Sequence, residues 1–345
     1  MRSMLVRLLR RVVTSGHLVV VDHEGTPSHI GDLGARPLTI RLHDRRVAFD
    51  LLRDPHMAFG EAYMNGRLSV QDGDIGDLLD LLLRNLGTGF GGGHLQWIAR
   101  LRNWARRLNP LNSNARAIKN VAHHYDLSAG LYDLFLDHDK QYSCAFFESE
   151  TDTLETAQQN KKRRIAAKLA LKPGQKVLDI GSGWGGLAVF LATLEAVDVT
   201  GVTLSSEQLK VANARATSIG LGQRVAFRLE DYRAVAGTFD RIVSVGMLEH
   251  VGSGQYDAYF RRISELLDDD GVALIHSIGR SDGPGATNPW IAKYIFPGGY
   301  VPALSEILPS VERAGLIVTD VEILRLHYAR TLLEWRKRFV ANWDR

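Results

Sequence analysis

Strand-like and helix-like segments alternate through the chain from residue 158 onward. Five short apolar runs have the length and β-branched content of strands: KVLDIG, VDVTGVTL, RVAFRLED, FDRIVSVG and GVALIHSIG. Segments with helical periodicity lie between them, such as SEQLKVANARATSIG and QYDAYFRRISELLDD. This alternation predicts an α/β fold, a mostly parallel, doubly wound sheet with helices on both faces.

The N-terminal part of the chain follows a different pattern. GHLVVVDHEG and PLTIRLHD are typical of strands bounded by Gly, Pro and Asp, and DIGDLLDLLLRN predicts a helix that begins at Asp74 or Gly76. NLGTGFGGGH, residues 85–94, has five glycines in ten residues and predicts a linker. We therefore predict a small α+β domain at residues 1–85, a Gly-rich linker with a basic helix at 86–117, and a larger α/β domain at 118–345.

Positive charge is unevenly distributed. The formal net charge is only +3, yet no acidic residue lies between Asp80 and Asp126. That stretch carries Arg84, Arg100, Arg102, Arg106, Arg107, Arg116 and Lys119. Such a concentration predicts an anionic partner surface, either lipid headgroups or nucleic acid.

The chain has a single cysteine, Cys144, in the stretch KQYSCAFFESE. One cysteine excludes an internal disulfide and a Cys-based zinc cluster, and it indicates a reducing compartment. We predict no metal site. The sequence has no run of about 18 apolar residues, so it predicts no transmembrane helix. Taken alone, a lone thiol is most often a small buried hydrophobe.

A glycine loop, VLDIGSGWGG, follows the first strand of the α/β pattern. Gly181, Gly183 and Gly186 fit the dinucleotide fingerprint G-x-G-x-x-G, whereas Gly181, Gly183 and Gly185 fit the G-x-G-x-G loop of methyltransferases. Either spacing brings backbone close to a ligand at a helix N-terminus. A bare structural turn is the third reading.

Three neighbouring features favour a methyltransferase loop. Asp179 stands two residues before the first glycine. A site for a nicotinamide cofactor needs an acidic residue at the end of the second strand, where it bonds the ribose hydroxyl. GVTLSSEQ instead has the neutral residues Thr203, Ser205 and Gln208 there. At the end of the third strand, RLEDYR supplies carboxylates that can accept from an adenine amino group and a ring that can stack on it: Glu230, Asp231 and Tyr232.

Seven motifs in order resemble the cyclopropane-fatty-acyl-phospholipid synthases and the related mycolic acid cyclopropane synthases: HHYDLSAGLYDLFLD, YSCAFF, DIGSGWGG, VTLSSEQ, VGMLEHVG, LIHSIG and HYARTL. The similarity runs from about residue 118 to the end, and AFGEAYMNGRL resembles the N-terminal domain of the phospholipid-type members. The resemblance implies a Rossmann-like class I methyltransferase fold. It also implies transfer of a methyl group from S-adenosylmethionine to a cis double bond of a phospholipid acyl chain, with ring closure to a cyclopropane.

The resemblance also assigns residues. It implies a bound bicarbonate as the base, held by Cys144, Glu249, His276, the backbone of Ile278, and Tyr328. For the cofactor it implies Tyr142, Ser143, Asp179, Gly181, Gly183, Gly185, Thr203, Leu204, Ser205, Gln208, Asp231 and Tyr232. Candidate aromatic walls of the acyl pocket are Phe146, Phe147, Trp184, Tyr294, Phe296 and Tyr300, since ring faces stabilise cations.

Other functions stay open on the sequence alone. A nucleic-acid methyltransferase would explain the basic stretch, but amino-methylating DNA enzymes carry an Asn/Asp-Pro-Pro-aromatic motif where this chain has MLEHVG. A lipid carrier without activity would not need the glycine loop and its companions. A related C- or N-methyltransferase, acting without ring closure on a lipid or a small molecule, is the alternative.

Two segments combine an apolar helical face with arginines. The first has Met1, Met4, Leu5, Leu8, Leu9 and Val12 on one face, and the second has Trp97, Leu101, Trp104 and Leu108 beside Arg100, Arg102, Arg106 and Arg107. We expect both to hold the protein on an anionic membrane, in the cytoplasm on the inner face. The other reading is that both helices pack on the protein. As partners we expect phospholipid acyl chains and a second copy in a homodimer, but no nucleic acid.

Overall fold

The structure, a computed structural model, describes residues 2–86 and 129–344. The chain divides into two compact units. The described part of the first unit comprises residues 2–86 and 286–295, and that of the second comprises residues 129–285 and 296–344. The predicted linker and the basic helix with Trp97 and Trp104 lie outside the described residues.

The first unit is a mixed four-stranded sheet with helices. Its strands are β1 His17–Val21, β2 Pro27–Gly31, β3 Pro37–Leu42 and β4 Leu68–Gln71, in the order β2-β1-β3-β4. β1 runs antiparallel to β2 and parallel to β3, and β3 runs antiparallel to β4. The helices are α1 Arg2–Val12, α2 Arg45–Arg53, α3 Pro55–Met64, α4 Ile75–Leu86 and α11 Pro289–Tyr294. The unit has the predicted α+β composition.

Helix α11 comes from the region that the sequence prediction gave to the C-terminal domain. Within the first unit it lies beside α3, where Lys293 and the Tyr294 hydroxyl both donate to Glu61 Oε1, at 2.7 and 2.9 Å. A Cβ on Gly60 would stand 2.4 Å from the Trp290 ring, so only a glycine lets the two helices approach this closely.

Helix α1 does not present its apolar face to a membrane. Leu5 and Val6 are buried in the core of the first unit together with Val13, which follows the helix, and Leu9 packs against the same core. Met4 is 65% exposed. The expectation that this helix lies on a lipid surface is therefore wrong for its apolar face, because packing on the unit's own sheet already removes that face from water.

The second unit confirms the predicted doubly wound sheet. Its strands are β5 Lys176–Ile180, β6 Asp198–Thr203, β7 Val225–Leu229, β8 Phe239–Val245 and β9 Leu267–His276, in the order β7-β6-β5-β8-β9. All four pairings are parallel. The helices are α5 Ala129–Asp133, α6 Leu154–Leu169, α7 Gly186–Leu194, α8 Ser206–Ser218, α9 Leu248–Val251, α10 Tyr256–Leu266, α12 Leu304–Arg313 and α13 Arg325–Ala341. No described helix is long and apolar enough to span a bilayer.

Alternate residues of β5 face two different cores. Val177 belongs to a cluster with residues of α6, α7 and α8, and Leu178 and Ile180 belong to a cluster with residues of α10. Because side chains alternate along a strand, Asp179 faces the side of Val177, which α6 and α7 cover.

Candidate active site

The carboxyl ends of the parallel strands border a cleft. The chain leaves the central strand β5 toward β6 on one side and reaches β8 on the other, which is where doubly wound sheets open a ligand crevice. Of the residues that the resemblance assigned to the cofactor, the cleft is lined by Gly181, Gly183, Thr203, Leu204, Gln208, Asp231 and Tyr232.

The three glycines of the loop have different reasons to be glycine. All have positive φ: 79° at Gly181, 54° at Gly183 and 80° at Gly185. A Cβ on Gly183 would meet no protein atom within 4 Å, so this position faces open space beside the cleft. A Cβ on Gly185 would stand 2.6 Å from Phe227 Cζ. Gly185 is therefore needed for the packing of α7 against the sheet, and it does not line the cleft.

The loop after β6 is held by capping bonds. Ser205 is the N-cap of α8 and its hydroxyl accepts from the Gln208 backbone N–H at 3.3 Å. The Thr203 hydroxyl donates to Gln208 Oε1 at 2.9 Å and accepts from the Ser205 N–H. Ser205, buried at 1% exposure, therefore fixes the loop, while Thr203, Leu204 and Gln208 reach the cleft.

Acidic and aromatic groups meet at the end of β7. Asp231 forms a bidentate pair with Arg233, at 2.8 and 2.6 Å, and this pairing holds the pKa of the carboxyl below its usual range despite burial. Tyr232 is buried, which raises its pKa to about 12. Glu230 and Arg233 also line the cleft. This edge therefore offers both hydrogen-bond acceptors and a ring to a heterocyclic base.

Asp179 does not line the cleft: it precedes the lining residues Ile180 and Gly181 and is buried with one unsatisfied oxygen. Its Oδ2 has no hydrogen-bond partner among the described residues, and burial raises its pKa to about 7. Tyr142 and Ser143 do not line the cleft itself. They lie in the segment that α6 holds: Gln158 Nε2 donates to the Gln141 and Ser143 carbonyls at 3.2 and 3.0 Å.

The side chains assigned to bicarbonate form a polar cluster, in which Cys144 and Glu249 are buried and His276 and Tyr328 are half-buried. Glu249 Oε1 accepts from the Ile278 N–H at 2.6 Å, so this backbone donor is already engaged, and Glu249 Oε2 has no partner among the described residues. Burial raises the pKa of Tyr328, and the charges of Glu249 and Cys144 raise it further, so these three groups lie within electrostatic range of one another.

Burial keeps the other two members of that cluster neutral at pH 7. It raises the pKa of the Cys144 thiol to about 11 and lowers the pKa of His276 to about 4. His276 Nδ1 has no partner among the described residues. A neutral thiol and a neutral imidazole can line a pocket and exchange hydrogen bonds, but neither is a strong nucleophile or base at this pH.

The aromatic candidates fall into separate places. Phe147 and Trp184 are buried in one cluster, and Phe296 stacks on Tyr142 with ring centroids 6.5 Å apart. The side chain of Phe146 stacks on His327, and the Tyr300 hydroxyl donates to Glu306. Tyr294 belongs to the first unit, as described above.

Several residues at the site were not predicted. His250 and Gln255 line the cleft, and burial lowers the pKa of His250 to about 4. His250 stands next to Glu249 in the motif MLEHVG, so the motif itself was the available signal. Lys161 is buried and bonds Ser143. The sequence feature that could have identified it is a lysine on the buried face of a helix.

The site fits S-adenosylmethionine. The end of β7 offers acceptors and a ring for adenine, and the open space at Gly183 allows close backbone approach. Next to the lining residue Ile180, the unpartnered Asp179 oxygen can accept from an ammonium group. No acid ends β6, where a nicotinamide cofactor would need one.

Comparisons with known proteins agree with this assignment. The profile of the mycolic acid cyclopropane synthetase family matches residues 112–345, and residues 6–90 match a domain of unknown function (DUF7884). The cyclopropane-fatty-acyl-phospholipid synthase of Escherichia coli (strain K12) is 39% identical over 312 residues, which cover 90% of this chain and 78% of the relative. A tuberculostearic acid methyltransferase of Mycobacterium tuberculosis is 35% identical, over 98% of this chain and 81% of the relative.

A solved structure agrees as well. The crystal structure of the mycolic acid cyclopropane synthase CmaA1, complexed with SAH and CTAB, is 34% identical and superimposes with a TM-score of 0.63, over 67% of this chain and 85% of that one. The resemblance, the fold class and the enzyme class predicted from the sequence are thereby confirmed. The chain belongs to the mycolic acid cyclopropane synthetase family and is an S-adenosylmethionine-dependent methyltransferase.

Proposed function

We propose that this protein methylates a cis double bond of a phospholipid acyl chain and closes a cyclopropane ring with the help of bicarbonate. The observation that carries the proposal is the polar cluster of Cys144, Glu249, His276 and Tyr328: Glu249 follows β8 and His276 ends β9, at the same sheet edge as the cofactor cleft. The identity with phospholipid-acting relatives supports the substrate class.

The reaction sets three requirements for the protein. S-adenosylmethionine supplies an electrophilic methyl group, and its transfer to the neutral double bond leaves a carbocation on the acyl chain. The site must align the two partners, exclude water that would trap the cation, and place a base near the added methyl group. Removal of a proton from that methyl lets its C–H electron pair form the third ring bond.

The chain's own residues can meet the cofactor requirement. In the proposal, Asp231 and Tyr232 receive the adenine, and Gly183 lets the backbone approach the ligand. Asp179 accepts from the amino group at the far end. Thr203 and Gln208, which bond each other at 2.9 Å, hold the loop that borders the ribose.

The polar cluster supports bicarbonate as the base. Bicarbonate both donates and accepts hydrogen bonds, and the cluster offers two unsatisfied atoms: Glu249 Oε2, which accepts, and His276 Nδ1, which donates in one tautomer and accepts in the other. Cys144 then forms a wall of the pocket, because a thiol with a pKa near 11 is neither nucleophile nor base at pH 7. The thiol donates to the Ala145 carbonyl at 3.3 Å.

We propose a membrane as the source of the substrate. The apolar face of α1 is packed in the core, so the proposal relies on the basic segment at residues 97–108, whose arginines and tryptophans suit a headgroup boundary. Assembly as a homodimer stays a prediction.

The product formed on defined vesicles tests the proposal. The purified protein would be incubated with S-adenosylmethionine, bicarbonate and vesicles of a cis-monounsaturated phospholipid, and the lipids analysed by mass spectrometry. We expect a mass gain of one CH2 and a product that resists ozonolysis, because a cyclopropane has no double bond. Turnover should fall in buffer depleted of bicarbonate and recover when bicarbonate is added. A protein that methylates no lipid, with or without bicarbonate, would contradict the proposal.

Methylation without ring closure is the second candidate. The match to a tuberculostearic acid methyltransferase over 98% of this chain favours it. Its unsaturated methylated product gains the same mass but is cleaved by ozone, so the same assay separates the two outcomes.

A further inference from the structure

Lys161 stands on the buried face of α6. Gln158, Lys161, Ile165 and Leu169 recur at three- or four-residue spacing, and each is at most 4% exposed. The last two belong to the apolar core. The first two donate instead to the segment before Cys144: Lys161 Nζ bonds Gln141 Oε1 at 2.7 Å and Ser143 Oγ at 2.8 Å.

The ammonium of Lys161 has no counter-ion close enough for a salt bridge. Among the described residues, no carboxylate oxygen lies within 4.0 Å of its Nζ. Its neighbour Lys162 is also buried but pairs with Asp139 at 2.6 Å. Burying an unpaired charge is costly, and burial lowers the pKa of Lys161 to about 8. The charges of Asp137 and Asp139 also act on Lys161, but neither carboxylate forms a salt bridge with it.

A second buried charge lies on the same side of the sheet. Asp179 faces the layer of α6, because it alternates with Leu178 and Ile180 on β5. The charge of Lys161 acts on the pKa of Asp179, yet the two groups form no salt bridge and Asp179 Oδ2 has no partner among the described residues. Two opposite charges are thus buried near each other, and each retains bonding capacity.

We propose that Lys161 is the positioning residue for the carboxylate end of S-adenosylmethionine, acting through Ser143. The inference rests on the proposed site, in which adenine lies at the end of β7 and the amino-acid end of the ligand lies beyond the lined cleft, next to Ile180. Asp179 adjoins that residue, and Lys161 links Asp179 to Ser143, because its charge acts on the first and its Nζ bonds the second. The amino-acid end is a zwitterion. Asp179 matches its ammonium group, and the positive charge of Lys161, relayed by the Ser143 hydroxyl, matches its carboxylate.

The bond from Lys161 leaves the Ser143 hydroxyl able to donate to the carboxylate of S-adenosylmethionine. Because Ser143 Oγ accepts the Lys161 N–H at 2.8 Å, its own proton is free to be donated to an anion, and the adjacent cation strengthens that bond. Gln158 holds the carbonyl of the same residue at 3.0 Å, so Ser143 is fixed from both sides. Lys161 itself need not touch the ligand.

The test compares two ligands and matched variants by calorimetry. SAH carries the amino-acid end, whereas 5′-methylthioadenosine keeps the adenosine and the thioether but lacks it. Lys161→Met should weaken SAH about 10- to 100-fold, the range for a lost charge-assisted bond, and leave 5′-methylthioadenosine unchanged. Lys161→Gln, a second neutral variant, should show the same selective loss. The control Lys162→Met should lower the melting temperature and leave both affinities unchanged.

A double-mutant cycle tests the route through Ser143. Ser143→Ala should weaken SAH in the wild-type background and have little further effect when Lys161 is already Met. Unchanged SAH affinity in the Lys161 variants, equal loss of both ligands, or additive effects in the cycle would each overturn the proposal. A wild-type protein that binds neither ligand would instead refute the cofactor site, and the inference would fail with it.

Discussion

Two glycines of one loop provide matched variants that separate binding from packing. Gly183 and Gly185 both have positive φ, at 54° and 80°, so an alanine at either costs about 1–2 kcal/mol of backbone strain. Only at Gly185 would the added Cβ also collide, at 2.6 Å from Phe227 Cζ and 2.8 Å from Ala212 Cβ. Overpacking of this kind adds about 1–3 kcal/mol. Gly185→Ala should therefore be the less stable variant by that amount.

Thermal unfolding and SAH calorimetry measure the two effects. For a unit of this size, each kcal/mol corresponds to about 2–4 °C, so Gly185→Ala should melt about 2–12 °C below Gly183→Ala. Gly183→Val should abolish SAH binding, because its branched side chain occupies the space that the ligand needs. Any protein that is still folded after Gly185→Ala should keep most of its SAH affinity.

Two results would refute this reasoning. Equal melting temperatures for Gly183→Ala and Gly185→Ala would mean that the close packing of α7 on the sheet is not as described. Wild-type SAH affinity in Gly183→Val would mean that the ligand does not pass this loop, and tight NADH binding without SAH binding would restore the dinucleotide reading of the glycine spacing.

Three further predictions concern single charged or reactive groups. Glu249→Gln removes the carboxylate that organises the polar cluster, so kcat should fall by about 100-fold or more while calorimetry shows unchanged SAH affinity; unchanged turnover would exclude the role. Hydrogen bonds from Arg164 and Lys168 lower the pKa of Glu322 from 4.5 to about 2. The ionised carboxylate therefore stabilises the fold fully above pH 4.5, and this stabilisation is lost as the pH falls toward 2. Since the pair is partly exposed, the effect should stay below about 1 kcal/mol, and Glu322→Gln should flatten the acid limb of a pH series of melting temperatures by that much; an unchanged limb would contradict it. Cys144, buried with a pKa near 11, should react with a disulfide reagent at pH 8 far more slowly in the native protein than in denaturant, and equal rates would contradict its burial.

The sheet and its ligand edge could be predicted because they rest on local patterns. The strands of the second unit are apolar runs between turn residues. A glycine loop after the first of them marks the edge of the sheet where ligands bind, and this signal does not depend on how the helices pack. The pattern fails for β2 and β4, whose sequences PSHIG and LSVQ are short and polar. Those strands form because β1 and β3 present unpaired edges to them.

From the sequence, a residue could be placed at the cleft only where its position at the end of a strand determines where it lies. Asp231 and Tyr232 line the cleft, since the end of a strand fixes their place, and their contact with adenine stays a prediction. Gly185 and Ser205 belong to the motifs but serve packing and capping, and a motif does not say which of its members touches the ligand. The apolar pattern of α1 likewise did not distinguish a lipid from the unit's own core, because both accept the same face.

Lys161 is a residue whose burial the sequence could predict, but whose role it could not. Its spacing from Ile165 and Leu169 places it on a buried helix face, where a lysine without a partner is costly. A charged residue at an apolar position of a helical pattern therefore indicates a special role for that residue. Which role it has depends on the groups that the fold places next to it. Here those groups are Ser143 and Asp179, which are 18 residues away on either side in sequence. Unsatisfied buried atoms each cost about 1–3 kcal/mol. Three of those described, Asp179 Oδ2, Glu249 Oε2 and His276 Nδ1, belong to the proposed site, so the fold gives up stability where the ligands would restore it.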